Sequence, residues 1–327
     1  MEWNFRFYNT WEATVKIKAF SYIDAFYGHR LVADDDNDPS EVYEVVPRLY
    51  TDRFDFKDSF ARVTLGMNFV PRTYFSKEKA LEELEGDPTV DLIFIKDRRG
   101  TYGQGIEVVS KGNLASTPVP DGHVIQEALT RNLALFDDSK ISVRVHFIMM
   151  RGKLYCHHRG FVQRHNEPFD PSNPSKSVHV SHANYTTYLL DMRWPTQETP
   201  FLDPDRVKQT WKNGIFPLDN VPNGTKWMST IAALGPELGR VLEPVLQQTL
   251  NEPLQYTLWG VDFLPLVNGD LKMLEINSYP SMRRFDVMTD LILQALGLGS
   301  MDSDMNERLP EIWDLSSSSR REQHDEM

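Results

Sequence analysis

Two periodicities of apolar and polar positions run along this chain, and the changes between them mark its elements. Residues 91–96 (DLIFIK) form an unbroken apolar run that predicts a buried strand. Residues 105–110 (GIEVVS) and 123–129 (HVIQEAL) predict two more strands, the first reached through the loop DRRGTYGQ. Residues 141–150 and 153–164 predict a hairpin around Arg151-Gly152. Helical spacing holds at Trp227, Ile231, Leu234, Leu238, Val241, Leu242 and Val245, with Pro236 expected to interrupt it. Ser76 is placed to cap a short helix over 77–85, stopped by Gly86-Asp87-Pro88. Residues 284–296 (RFDVMTDLILQAL) predict a further helix packing back on the body. The acidic run 33–41, residues 166–176 and much of 192–225 read as loops.

One stretch, GVDFLPLVNGDLKMLEIN over 260–277, carries an electrostatic question. Asn268-Gly269 between two β-prone runs predicts a two-residue turn, with Val267 facing Asp270. Counting outward places Asp262 opposite Glu275, with Asn277 on the same face. Facing carboxylates repel at Cβ separations of roughly 5 Å. The plain reading is a solvated patch above a core-facing row. The sharper one is a hard divalent cation held by these oxygens together with phosphate.

Composition narrows the choices. The 327 residues, 40% hydrophobic and 25% charged, suffice for two or three subdomains. A net charge of −12 argues against a general nucleic-acid binder. The first residues lack the pattern of a signal peptide, and no stretch is apolar enough to span a bilayer, so a cytoplasmic or intracellular protein without a membrane partner is expected. A single cysteine, Cys156, excludes an internal disulfide. Yet residues 139–165 hold six Lys/Arg, four His and no acid, a local positive field suited to phosphate or carboxylate groups. A basic solvated sheet face fits that count equally well.

A second chemical signal is IKDRRGTYGQGIEVV. Lys96 ends an apolar strand, and Gly100, Gly103 and Gly105 follow it. Such a loop can cover phosphates with backbone amides while the lysine supplies a point charge. It is not a P-loop, because no Gly-Lys-Ser/Thr closes it.

The order of these signals (strand-end lysine, glycine hairpin, VIQEAL, SVRVHF, then D…E-x-N) resembles an ATP-grasp enzyme. Most similar is the tubulin tyrosine ligase-like family of ATP-dependent carboxylate–amine ligases, over roughly residues 50–298. FVPRTY (69–74) and EINSYPSM (275–282) are among the more specific pieces. The resemblance implies an α/β (α+β) ATP-grasp fold, with the nucleotide held between two mixed or antiparallel sheet subdomains. Residues 1–68 would form an N-terminal portion, 69–130 the central subdomain, 131–300 the C-terminal subdomain and 301–327 a disordered polar tail. ATP with Mg²⁺, or Mn²⁺ in its place, is the implied cofactor set.

Carried over residue by residue, Lys96 would contact the inner phosphates and Gly100–Gly105 would cover them. Gln126, Glu127, Ala128 and Leu129 would bind adenine. Lys140 and Arg144 would serve the reacting groups, with Ser181 and His182 near the nucleotide. Asp262, Glu275 and Asn277 would hold the metal. Arg159, Arg164 and Ser142 fall where the substrate would bind, and His146, His165 and His182 are candidate bases for the amine. The chain departs from the family at Ser142, where Asp is usual, at His182, where Asn is usual, and at Gln163, where Arg is usual with Arg164 one place on. The implied reaction joins an amino acid to a carboxylate, on a small acid or an acidic polypeptide tail, with ADP released. A small-polyol kinase and a nucleotide-binding pseudoenzyme are the rival readings.

Overall fold

The computed structural model describes residues 2–4, 16–18, 30–32, 42–100, 103–158, 160–180, 215–218, 221–278 and 310–316. Its strands, in chain order, are β1 (Glu2–Asn4), β2 (Lys16–Lys18), β3 (Arg30–Val32), β4 (Val42–Val45), β5 (Thr73–Tyr74), β6 (Leu92–Asp97), β7 (Ile106–Ser110) and β8 (His123–Ala128). They continue as β9 (Leu135–Phe136), β10 (Ser139–Met150), β11 (Lys153–Cys156), β12 (Phe161–Pro168), β13 (Ile215–Pro217), β14 (Gln255–Pro265), β15 (Leu271–Asn277) and β16 (Glu311–Asp314). The helices are α1 (Arg48–Asp55), α2 (Lys57–Val63), α3 (Lys77–Leu84), α4 (Lys176–His179), α5 (Gly224–Ala233) and α6 (Gly235–Asn251).

Two sheets divide these strands. The smaller has the order β5-β8-β6-β7, antiparallel throughout. Strand β6 is apolar at successive positions because both its faces are covered. Ile93 and Ile95 pack with Ala80 and Leu84 of α3, whose first turn is capped by the Ser76 hydroxyl accepting from the Lys79 amide at 3.2 Å. Leu92 and Phe94 lie on the other face with Val108, Ala128 and Val180. Lys96, two residues past Phe94, therefore shares that second face.

The larger sheet is built around β10, paired along one edge with β14 and along the other with β11 and β12. Strand β4 extends it, parallel to β14. Ile141, Val143, Val145 and Phe147 alternate into a core closed by Trp227 and Ile231 of α5 and by Leu238, Leu242, Val245 and Leu246 of α6. Lys140, Ser142 and Arg144 consequently project from the opposite face. The interruption expected at Pro236 is real: α5 ends at Ala233, and Pro236 sits in the first turn of α6, where its missing N–H costs nothing. Mixed α/β with antiparallel sheets is the architecture among the described residues, and it is compatible with an ATP-grasp arrangement.

Three local features differ from the sequence expectation. The stretch 153–164 is not one strand but two, β11 and β12, both lying along β10. Their pairings, Phe147 with Cys156 and Arg144 with Phe161, leave two extra residues between them. The turn after β14 has three residues, Val267-Asn268-Gly269, with the Leu266 amide donating to Asp270 at 2.9 Å. Gly269 alone among them takes a positive φ, +94°, as the third position of such a turn requires. Finally, residues 311–314, expected within a disordered tail, pair with β11 as strand β16. Ile312 and Trp313 lie so close to α6 that a Cβ on Gly235 or Gly239 would fall 2.2 Å from the Ile312 carbonyl oxygen or 2.3 Å from the Trp313 Nε1. Two side-chain-free positions on a helix thus create a seat that composition could not announce.

Candidate functional site

A bulge aims the acidic hairpin. Near the turn, Pro265 faces Leu271 and Phe263 faces Met273; the register then shifts, and Asp262 faces Glu275, Val261 faces Ile276 and Gly260 faces Asn277. Leu274 is the extra residue. Leu271 and Met273 belong to the core, and so does Ile276, so the bulge reverses the alternation and turns Glu275 and Asn277 to the other face with Asp262. Without it, Glu275 would point among the core residues. At a separation of about 5 Å and an effective dielectric of about 20, two facing charges repel by about 3 kcal/mol.

Three cations, Arg144, Lys57 and Lys96, offset that repulsion. Arg144 faces Asp262 across β10 and β14 and grips it with two parallel N–H donors, Nε lying 2.5 Å from Oδ1. Burial and the Glu275 charge push Asp262 up to about 6, against the pull of Arg144. Burial also raises Glu275, but the positive charges of Lys57, Arg144 and Lys96 outweigh it and hold that carboxyl at about 2. The pair titrates as a unit, with Glu275 the ionised member and Asp262 the site of first protonation. The Asn277 amide nitrogen donates weakly to Glu275 at 3.4 Å, which leaves its oxygen as a further acceptor.

The small sheet supplies the opposing wall. The Lys96 ammonium donates to Gln126 Oε1 at 2.6 Å, and Gln126 Nε2 donates onward to the Thr73 hydroxyl at 2.9 Å. Lys140, 3% exposed, comes from the large sheet, yet both ammoniums lie over the Phe94 ring, 5.0 and 5.6 Å from its centroid. Burial lowers Lys96 to about 8, and burial together with the Lys96 charge lowers Lys140 to about 7. An anion joining two amines so placed favours their charged form.

The glycine-rich segment joining β6 to β7 begins just past Lys96. Gly105 has φ +63°, and a Cβ there would stand 2.6 Å from Asp97 Cβ; one on Gly100 would stand 2.3 Å from the Gln104 carbonyl oxygen. Neither position admits a side chain without rebuilding the turn. Gly103 lies at its tip, also with positive φ.

Of the residues expected to bind adenine, Gln126 and Glu127 are inside β8, and Ala128 ends it. The Glu127 amide already donates to the Arg72 carbonyl, while its carboxylate accepts from the Arg72 amide at 2.9 Å and from Arg72 Nε at 2.8 Å. Leu129 follows where the strand ends.

The structure brings Lys96, Lys140, Arg144, Asp262, Glu275 and Asn277 to one crevice between the sheets, with Ser142 on the same strand face as Lys140 and Arg144. It does not bring Arg164 there. That residue pairs with Ile141 on β10's core-facing side and forms a salt bridge to Asp137 at 2.8 Å, whereas Gln163 faces Ser142. His165 is buried with Nδ1 3.2 Å from the Val178 carbonyl, and His146 is buried beside the Phe161 ring. Arg159, Ser181 and His182, the residues after Ser278 in EINSYPSM, and the expected helix 284–296 lie outside the described residues.

Several site groups carried no sequence signal. Lys57, at the start of α2, donates to the Gly100 carbonyl and is the strongest positive charge on Glu275. Asp55 accepts from the Ser278 amide at 2.8 Å and from its hydroxyl. Both line the crevice with Lys96, Gln126 and Glu275. His179, buried against Phe94 and Phe169, donates from Nε2 to the Asn173 carbonyl at 2.6 Å. Burial first, then Lys140, lowers it to about 4, so it is neutral at physiological pH.

Two carboxylates and a carboxamide are hard oxygen donors. Each oxygen of Asp262 keeps a lone pair beyond the one given to Arg144, so this set fits Mg²⁺ completed by phosphate oxygens. It does not fit a protein-only metal cage: among the described residues no three His, Cys, Asp or Glu side chains cluster for a metal. Nor is any described helix long and apolar enough to cross a membrane.

No family model matches the chain. It is 26% identical to tubulin polyglutamylase TTLL11 of Mus musculus over 244 residues, 66% of this chain and 33% of that protein. The chain thus spans about a third of that relative's length. The similarity is distant, and it suggests a tubulin tyrosine ligase-like relationship and a ligase activity.

Proposed function

We propose that the chain is an ADP-forming, ATP-dependent carboxylate–amine ligase of ATP-grasp type, joining an amino acid to a carboxylate on an acidic polypeptide. One observation carries the reading: a buried, facing Asp262–Glu275 pair opposite a cluster of partly neutral amines. Alone, each half is an electrostatic liability, and a metal–polyphosphate relieves both at once. Likeness to a tubulin polyglutamylase supports the acidic polypeptide as acceptor and an amino acid as donor of the amine.

Bound by Asp262, Glu275 and Asn277 with phosphate oxygens, Mg²⁺, or Mn²⁺ in its place, would neutralise charge on the transferring group. Lys96 and Lys140, both over the Phe94 ring, bind phosphate oxygens. Gln126 fixes the Lys96 amine, so its position does not wait on the ligand. Arg144 orients Asp262 and stabilises negative charge as a substrate carboxylate takes the γ-phosphoryl group. An amine then displaces phosphate from the activated acid, forming the amide bond. The glycine hairpin shields the crevice from water, which would otherwise hydrolyse the activated acid. Ser142, beside Lys140 and Arg144, leaves this wall without the carboxylate usual in the family, so the amino acid's cationic group finds one fewer anion there. Ser181 and His182 are assigned to the nucleotide side and Arg159 to the substrate, while Arg164, on the other face of the sheet, takes no part.

The test is ADP release by the purified chain with Mg²⁺ and ATP, across amino acids paired with acidic peptides, beside Glu275→Gln. ADP that depends on particular acid–amine pairs and is lost in the variant is the expected result. ATP turnover driven by a polyol without an amine, or no binding of Mg²⁺ and ATP at all, would overturn the assignment.

A further inference from the structure

The junction between α1 and α2, residues 55–58, touches both walls of the crevice. Toward the large sheet, Asp55 accepts from the Ser278 amide and hydroxyl, immediately after Asn277, and with Phe54 and Phe60 it lines the crevice that Leu274 and Glu275 also line. Toward the small sheet, the Lys57 amide donates to the Arg98 carbonyl at 3.1 Å and its ammonium to the Gly100 carbonyl. Phe56 is covered by the guanidinium groups of Arg98 and Arg99, 5.6 and 5.3 Å from its centroid, and Asp58 lies 3.7 Å from Arg98. One tetrapeptide therefore holds the base of the glycine hairpin with one end and the acidic hairpin with the other.

We propose that residues 55–58 are a positioning clasp that fixes the glycine hairpin over the acidic pair, with Lys57 as its central contact. The inference deepens the ligase reading above and rests on it for its consequence, but the clasp itself is a property of the free protein. The argument is geometric. The glycine hairpin has no large side chain of its own at Gly100, Gly103 or Gly105 to anchor it. A carbonyl held by an ammonium is a strong substitute, because hydrogen bonds to charged groups exceed neutral ones. Lys57 also lines the same crevice as Glu275, so the group that anchors the hairpin stands beside the acidic pair. Asp55 meanwhile fixes the backbone one residue beyond Asn277. Hairpin and carboxylates are thereby set in mutual position before any ligand arrives.

The experiment is hydrogen exchange on the full-length chain, without nucleotide, for the wild type, Lys57→Met and Lys57→Arg. In Lys57→Met, exchange at residues 97–105 should accelerate roughly ten-fold or more while that of α3 stays unchanged. Lys57→Arg should restore most of the protection, since charge and reach are kept. Unchanged exchange at 97–105 in Lys57→Met would overturn the proposal. So would a uniform acceleration that includes α3 and the large sheet, the signature of a purely structural lysine. A separate titration of the wild type with Mg²⁺ and a non-hydrolysable ATP analogue tests the ligase reading: absent binding removes that reading and leaves the exchange result standing. Where the analogue binds, Lys57→Met should weaken its affinity more than Lys57→Arg does.

Discussion

Binding a polyphosphate between Lys96 and Lys140 should draw protons from solution, because burial leaves both amines partly neutral. With Lys140 near 7 and Lys96 near 8, at pH 8 about nine-tenths of the first and about half of the second lack a proton. An adjacent triphosphate returns both toward the ordinary range near 10.4, so between about one and one and a half protons are taken up per site. At pH 6 the same arithmetic gives about a tenth of a proton. Magnesium-free tripolyphosphate isolates the effect from the carboxylates. Calorimetric titration in two buffers of different ionisation enthalpy counts the protons directly. Lys140→Met should leave only about half a proton at pH 8. The sign also fixes the stability of the free protein. Both folded-state values lie below the unfolded one, so this contribution is fully present above about pH 10.4 and is lost as pH falls through about 8 and then 7. Zero proton uptake at pH 8 with measurable binding, or uptake untouched in Lys140→Met, would refute the placement of the two amines around a common anion.

Other consequences are simpler to read. Glu275→Gln should cut magnesium-dependent nucleotide affinity at least about a hundred-fold, since a metal ligand and a charge vanish together, and equilibrium titration with and without Mg²⁺ would show it. Magnesium affinity should rise as pH climbs through about 6, the point at which Asp262 gives up its proton. The stability term from Asp262 runs the other way: with its folded value raised, it is greatest below about pH 4 and lost as pH rises through about 6, which denaturant titration across that window checks. Gly239→Leu should unseat Trp313 and expose residues 310–316 to protease, while α6 itself keeps its helical signal in circular dichroism. Ser76→Ala should cost about 1 kcal/mol of stability through the lost cap, measured by denaturant midpoint, with ADP release unchanged.

Period and turn chemistry, which live in neighbouring residues, were legible without a structure. The apolar run before Lys96 places that lysine at a strand end. Ser76 and Pro236 mark helix boundaries at the residues where the structure has them. Arg151-Gly152 forms the expected tight turn, both residues at positive φ, a conformation glycine adopts freely and Arg151 adopts because the two strands close on it.

The acidic hairpin shows where such reasoning ends. Counting from an assumed two-residue turn put Asp262 opposite Glu275, and they do face each other, but through two compensating changes. The turn holds three residues, and Leu274 bulges to recover the lost register. A one-residue slip reverses every side chain, so either change alone would have buried Glu275. The bulged Leu274 lines the crevice together with Phe54 and Phe60 from α1 and α2, a neighbourhood no local pattern encodes. Lys57 and Gly100 are 43 residues apart, and Asp55 and Ser278 are 223 apart. Sequence alone determined which residues could alternate, cap or turn, since each of those depends on neighbours within a few positions. Only the tertiary structure decided which charges meet, because packing two sheets and a pair of helices is what brings carboxylates and amines into one buried crevice, where each alters the ionisation of the others.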